Sequence, residues 1–279
     1  MANTIALRKF YSEALDEVYK LAALTTVLDG DNSLVRMGAN ANEILVPKMS
    51  MDGLADYGRN TGYASGSVTF EYETKKIAYD RGRMFSVDAL DAEEATPVFS
   101  ALSAEFVRTQ VVPELDAYRL AAYATKAGTT VAAALSTGKA ATEAIMAAKS
   151  KIRDSEATIA TTYLFISPVI HDLIDNLDTT ASRAALDGWA GVIDVPSGRF
   201  FKTLTLTAAG GFTGKTAMNF LAVEKSAVIQ FQKHTVNKII TPDQNQDADA
   251  WKFGYRTAGI AEVADNKVNG IYAHTAATA

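Results

Sequence analysis

The sequence predicts an α+β chain carrying a projecting two-stranded arm, on three observations. A Gly- and Tyr-rich stretch over residues 51–83 reads as two strands of an arm, and a mostly helical segment over 96–127 comes directly after it. Near the end, residues 239–256 return to an alternating strand pattern after a polar turn cluster. An arm that cannot bury a core of its own needs a neighbour to lie on. The layout therefore points to contact with copies of the same chain.

For the segment over residues 5–24, Leu7, Tyr11, Leu15, Val18, Ala22 and Thr25 recur at spacings of three and four, the stripe of a helix. Asp29-Gly-Asp-Asn32 ends it. Residues 43–49 form a short strand on Ile44, Leu45 and Val46. Between 50 and 66, Gly53, Gly58, Gly62 and Gly66 are spread among Tyr57, Arg59 and Tyr63, which is loop composition. Val68, Phe70 and Tyr72 then alternate with Thr69, Glu71 and Glu73, predicting a half-buried strand. The apolar phase flips to Ile77 and Tyr79, which predicts a bulge near Thr74 and Lys75, with residues 80–83 ending the strand.

The helical segment carries Phe99, Leu102, Phe106, Leu115, Tyr118 and Ala122 on one face. Pro113 lacks a backbone donor and crowds the preceding turn, so a kink or break is expected there, and Gly128 is the stop signal. Residues 140–154 read as a helix with Ile145, Ala148 and Ile152 inward, and 162–166 as a buried strand. Ser167 and Pro168 open another helix, with Ile170, Leu173 and Ile174 as its apolar face. Strands are predicted over 191–196, 201–206, 218–223 and 227–231. In the tail, Trp251, Phe253, Tyr255 and Thr257 alternate with polar positions, Asp265-Asn266 makes a turn, and residues 267–274 are expected to pair back on that strand.

Composition removes several function classes. The chain has 279 residues, of which 48% are hydrophobic, enough for an ordinary globular core. It has no Cys, so disulfides, thiolate nucleophiles and Cys-ligated metals are excluded. A net charge of −5 is poorly suited to nucleic-acid or membrane-surface binding, which needs clustered Lys and Arg. No apolar run approaches the ~18 residues of a membrane span, and no secretory leader is evident, so a soluble protein is expected.

Two stretches imitate chemistry. Ala209-Gly-Gly-Phe-Thr-Gly-Lys-Thr216 resembles a phosphate-binding loop, but Ala209 stands where the first Gly belongs. Residues 217–223 read as a strand instead of the helix whose amides would cradle phosphate, so a Gly-rich hairpin loop is expected. Residues 243–249 resemble a calcium loop, but Ala248 replaces the required Gly and Gly254 the bidentate Glu. His171, His234 and His274 are scattered, with no metal spacing and no evident nucleophile beside them. Asp88, Asp91, Glu93 and Glu94 precede the helical segment, where they favour its N-terminus electrostatically. No catalytic, cofactor or metal residue is assigned, and no cofactor is expected. The candidate inter-subunit contacts are Tyr57, Arg59, Tyr63, Lys75, Lys76, Arg81 and Arg83, the last four as ion-pair partners for an acidic neighbour.

The order of parts, with the phrases Val111-Val-Pro-Glu-Leu-Asp-Ala-Tyr118, Thr241-Pro-Asp-Gln and Asp247-Ala-Asp-Ala-Trp-Lys-Phe-Gly-Tyr255, resembles tailed-bacteriophage major capsid proteins of the Hong Kong 97-like fold. The resemblance implies an N-terminal arm over 1–33, an extended β-hairpin loop over 48–83 and an axial domain over 129–235. It implies a peripheral domain assembled from 34–47, from 84–128 with a long spine helix, and from the return strands of 236–279. It also implies a non-enzymatic structural subunit that forms pentamers and hexamers and tiles an icosahedral shell around double-stranded DNA. The partners implied are further copies, a portal and, in some members, a decoration protein. The location implied is the virion, after synthesis in a bacterial cytoplasm. With Met1 leading almost directly into the arm, a separate scaffolding protein is expected. Some members crosslink a loop Lys to a neighbour's Asn with help from a Glu. Lys48, Lys75, Lys76, Asn266 and Asn269 do not match that motif, so no crosslink is expected. Other readings are a cellular nanocompartment shell, a nucleotide-binding enzyme using Gly214, Lys215 and Thr216, and a surface-layer protein, against which the missing leader counts.

Overall fold

The structure, a computed structural model, describes residues 23–30, 36–37, 43–77, 79–89 and 105–277. The helix expected over 5–24 and the start of the one expected at 96 lie outside them, as do Asp91, Glu93 and Glu94. Among the described residues, strands β1 (Arg36–Met37), β2 (Glu43–Met51) and β3 (Val68–Lys76) form one antiparallel sheet, in the order β1-β2-β3. Strand β4 (Tyr79–Asp88) joins a different sheet. It pairs antiparallel with β11 (Ala250–Val263), whose other neighbour is β10 (Val228–Ile240). The third sheet is mixed. It runs β5 (Thr129–Ala132), β12 (Ile271–Thr275), β9 (Phe212–Glu224), β6 (Thr162–Ile166), β7 (Gly191–Asp194), with β8 (Phe201–Leu206) on β9.

The helices are α1 (Val112–Thr125), α2 (Gly138–Asp154), α3 (Pro168–Asp175) and α4 (Thr180–Leu186). The mixed sheet is covered on both faces, and the alternation of its strands is divided between two cores. Phe165, Leu221 and Val223 point into a cluster with Leu120, Tyr123 and Ala124 of α1. Leu164, Ile166, Phe220 and Ala222 point the other way, against Ile145, Ala148 and Ile152 of α2 and Ile170 and Ile174 of α3. A strand buried on both faces reads as a continuous apolar run, which is what residues 162–166 and 218–223 show. Each fully buried Leu, Ile, Val or Phe among these contributes ~1.5–3 kcal/mol of burial free energy, and each Ala less.

Local signals set the helix ends. The Thr137 hydroxyl caps α2 by accepting from the Ala140 amide at 3.3 Å. Thr179 and Ser182 form a reciprocal capping box at α4, a helix that the sequence analysis does not predict although this pair marks it. Ser167 does stand at the N-cap of α3 with Pro168 in its first turn, but its side chain makes no capping bond.

Five expectations are corrected. The apolar phase flip after Tyr72 is not a bulge near Thr74 and Lys75, because the β2–β3 register runs unbroken from Met51–Val68 to Glu43–Lys76. The flip marks a change of sheet between Lys76 and Tyr79, and residues 80–83 do not end the strand, since β4 continues to Asp88 along β11. Val68, Phe70 and Tyr72 are exposed instead of half-buried, since the sheet of β2 and β3 stands away from both cores.

The fourth correction concerns the long helix. It does not break at Pro113. Residues 107–111 form a π-helical turn that runs directly into α1. The wider turn removes the need for the amide Pro113 lacks and relieves its ring against the preceding carbonyl. The buried stripe of α1 is Ala117, Leu120, Ala121 and Ala124, with Leu115, Tyr118 and Ala122 only half-buried, because α1 packs against both larger sheets. Gly128 lies three residues beyond the helix end. Its amide donates to the Val268 carbonyl at 2.9 Å, and a Cβ there would sit 2.7 Å from that oxygen.

The fifth is the tail. Residues 267–274 do not fold back on Trp251–Thr257. A 3-10 turn at Val268–Gly270 carries the chain to the mixed sheet, where β12 lies between β9, antiparallel, and β5, parallel.

Candidate functional site

The two-stranded arm is β2–β3 with the loop between them. Its register sorts the side chains by face. Met51 is opposite Val68 and Met49 opposite Phe70, so these four share one face with Tyr72. Ser50, Thr69, Glu71, Glu73 and Lys75 occupy the other. Among the described residues none covers the apolar face: Met49, Met51, Val68 and Phe70 keep 56–68% of their surface exposed. Phe70 and Tyr72 meet edge to face at 5.3 Å.

Beyond the strands, Asp52 closes the ladder. Its amide donates to the Ser67 carbonyl at 3.1 Å and its carboxylate accepts from the Ser67 amide at 2.7 Å. At the tip a bridge joins Gly58 and Gly62, with the Gly62 amide donating to the Gly58 carbonyl at 2.7 Å. Gly62 takes φ +78°, a conformation that favours glycine. Arg59 sits exposed within this turn. Tyr57 and Tyr63 flank it, ring centroids 4.9 Å apart at 62°, and both are exposed, as is Leu54. Eight of the fifteen large apolar side chains exposed among the described residues fall between Met49 and Tyr72. A patch of that kind marks an interaction surface more often than chance exposure does.

The four basic candidates separate. Lys75 lies at the base of the arm, 2.7 Å from Glu73 and 3.5 Å from Asp265 of the body. Burial pulls its pKa down, but the hydrogen bond and charge of Glu73 and the Asp265 charge outweigh this and raise it. The carboxyl of Asp265 is held below the ordinary range, first by its hydrogen bond with Glu73 and then by the Lys75 charge. Lys76 is exposed. Arg81 and Arg83 are on β4, off the arm. Arg81 makes a two-pronged contact with Glu114 of α1, at 2.8 and 3.2 Å, and donates to the Thr207 carbonyl at 2.9 Å. Arg83 donates to the Ala209 carbonyl at 2.7 Å. No common basic patch forms on the arm, since Lys75 and Arg81 are each paired within their own subunit.

On the far side of the β4–β11–β10 sheet is a shallow groove of about 430 Å³ lined by Gly82, Met84, Val236, Lys238, Gly254 and Arg256. Gly82 and Gly254 lie on adjacent strands, opposite Arg256 and Met84.

The imitations of chemistry resolve into structure. Gly214, Lys215 and Thr216 lie within β9 of the β8–β9 hairpin, closed by Gly210 and Gly211 in the left-handed region, and no helix N-terminus comes after them. Gly214 packs under Phe201, where a Cβ would fall 2.2 Å from the ring. Over residues 243–249, the Asn245 side chain donates to the Ala250 carbonyl and Asp247 pairs with Lys252 at 2.6 Å. Among the described residues no three His, Cys, Asp or Glu side chains gather as metal ligands. His171 pairs with Asp194 at 2.7 Å, and His274 stacks on Phe220. The side chain of His234 lies outside the described residues. Asp88 stands in β4 opposite Ala250.

Sequence reasoning missed the apolar face formed by Met49 and Met51. Their alternation with Ser50 is a signal, but the strand expected over 43–49 stops before Met51. It also missed a fully buried carboxylate, Asp116, whose signal is a charge embedded in the apolar run of α1. No helix among the described residues is long and apolar enough to cross a membrane.

A scan against protein-family models finds no match, and no curated protein matches the sequence. Solved structures do match. A chain of the capsid structure of cyanophage P-SCSP1u aligns with a TM-score of 0.68 at 15% identity, covering 99% of this chain and 94% of that one. A chain of the mature capsid of bacteriophage PhiM1 aligns with a TM-score of 0.68 at 12% identity, over 98% and 93%. A chain of Mycobacterium phage Che8 aligns with a TM-score of 0.66 at 12% identity, over 98% of each. At these identities the likeness is one of fold, and it spans nearly the whole length. The chain has the mixed helix-and-sheet fold of phage capsid proteins.

Proposed function

We propose that this protein is the major capsid protein of a tailed bacteriophage, a structural subunit that self-associates into a closed shell. The observation that carries the reading is the arm: a long hairpin whose apolar face is left exposed by the described residues, on a fold shared with phage capsids. Association of copies would bury that face. Burying apolar surface is favourable at ~25 cal/mol per Å² whichever chain supplies the cover.

On this reading the subunits form pentamers and hexamers, the shell is icosahedral, and it encloses double-stranded DNA without reading its sequence. The net charge of −5 suits a container, since a strongly phosphate-attracting wall would hinder packing of mobile DNA. Tyr57, Arg59, Tyr63 and Lys76 are the exposed contact candidates at the tip and base of the arm, while Arg81 and Arg83 hold β4 to its own subunit. A separate scaffolding protein and a portal are the further partners, with a decoration protein in some relatives of this kind, and the virion is the location. Negative-stain electron microscopy with sedimentation velocity on the purified protein tests this. Closed particles tens of nanometres across, or discrete pentamers and hexamers, are expected. A species that stays monomeric at every concentration, with and without a co-expressed scaffold, would overturn it.

A further inference from the structure

We propose that residues 23–29 act as a staple across the junction of the mixed sheet and the β4–β11–β10 sheet, fixing the angle between them through the buried carboxylate of Asp116. The segment forms a 3-10 turn, Leu24–Leu28, in which Thr25 and Leu28 are fully buried. Asp116, on α1, is fully buried as well. One of its oxygens accepts from the Thr25 amide at 3.1 Å and hydroxyl at 2.7 Å. The other accepts from the Leu24 amide at 3.0 Å and from Arg199 at 3.0 Å. Arg119, one turn along α1, donates to the same Thr25 hydroxyl at 3.1 Å. From the β10 side, Gln230 donates to the Thr25 carbonyl at 2.8 Å and to Asp29, while its own carbonyl accepts from Tyr123 of α1.

These bonds come from three directions. Arg199 stands in the turn between β7 and β8 of the mixed sheet, Gln230 at the start of β10 in the three-stranded sheet, and Asp116, Arg119 and Tyr123 on the helix between them. Leu28 fills the same cluster as Leu221 and Val223 of the mixed sheet and Val228 and Ala261 of the other. Besides α1, the connections between these sheets are the short turn 225–227 and the segment 264–270. If the segment left its seat, Asp116 would keep Arg199 alone and the Gln230 side-chain amide would lose both of its acceptors, Thr25 and Asp29. The docked state is therefore strongly preferred, and its loss is felt on both sides of the junction.

The test uses the absence of native cysteine. Single cysteines at Met146 on α2 and Val236 on β10, both partly exposed, carry spin labels whose separation reports the angle between the sheets. Hydrogen exchange reads the segment itself. Asp116→Asn keeps the shape but removes the charge. Thr25→Val removes only the hydroxyl, and it carries the test if Asp116→Asn does not fold. In either variant the amides of residues 24 and 25 are expected to exchange at least about tenfold faster, with β6 and β9 still protected. The label distances are expected to broaden or shift. Overturning results are equally fast exchange at 24 and 25 in the unaltered protein, or released amides with an unchanged distance distribution. These readouts use the isolated subunit and do not depend on shell formation. Under the proposed function the variants would also give malformed shells, an arm that fails separately if the protein does not assemble at all.

Discussion

Two strand pairs in this molecule are rich in apolar side chains and meet opposite fates. In β6–β9, Leu164, Phe165, Ile166, Phe220 and Leu221 are all fully buried, because helices cover both faces. In β2–β3, Met49, Met51, Val68 and Phe70 alternate with polar residues and stand exposed. Alternation specifies a strand and assigns its faces, but it does not say which chain supplies the cover. In the first pair the cover is intramolecular. In the second the proposed cover is another copy.

The comparison breaks most sharply by substitution. Phe220→Ala is expected to cost ~3–5 kcal/mol of subunit stability, read as a lower denaturant midpoint at unchanged slope. Phe70→Ser is expected to change subunit stability by less than ~0.5 kcal/mol while abolishing closed particles under the electron microscope. Equal destabilisation by the two would show that the arm is packed against its own subunit. Deleting residues 53–66 removes the tip with Tyr57, Arg59 and Tyr63. A folded protein with an unaltered melting transition and no closed shells is expected, and shells of ordinary size would refute the role given to the arm.

A smaller effect belongs to the core alone. His274 is buried on β12 against Phe220, and burial lowers its pKa below the ordinary value. The unfolded chain therefore takes up a proton near pH ~6.5 that the folded one refuses until lower pH. This group's contribution to stability is present above about pH 6.5 and is lost as pH falls toward the folded value. His274→Gln should flatten that part of the pH profile, as measured by urea midpoints on either side of neutrality. The smallest effect is expected at the base of the arm. Asp265→Asn removes the pairing of Lys75 with the body and should cost no more than ~1 kcal/mol, an effect that added salt diminishes.

How much is legible in the sequence depends on how local each signal is. Residues 162–166 and 201–206 show their strands, because a buried or alternating run needs no distant information. Tyr57 and Tyr63 are legible as exposed for the same reason, lying among glycines. Residues 267–274 are misplaced by sequence reasoning because Asp265-Asn266 is a valid turn signal, whereas the partners of β12 are β5 and β9, far away in sequence. The flip from Tyr72 to Ile77 is visible, but a bulge and a change of sheet write the same pattern. Asp116 and Thr25 are 91 residues apart, and nothing in either neighbourhood names the other. Arg81 looks available in the sequence because Glu114, its partner, lies on a helix that only the fold brings beside β4.

Whether assembly covers the arm is read most directly from the thiol reactivity of a single cysteine placed at Val68 in this otherwise cysteine-free chain. It is compared between dissociated subunits and assembled particles, with a cysteine at Val169, exposed on α3 and far from the arm in sequence, as the control. The Val68→Cys thiol is expected to react freely in the subunit and to be strongly protected in the particle while the control changes little. Equal reactivity of the Val68→Cys thiol in both states would mean that the apolar face of the arm stays uncovered on assembly, and would contradict the role assigned to it.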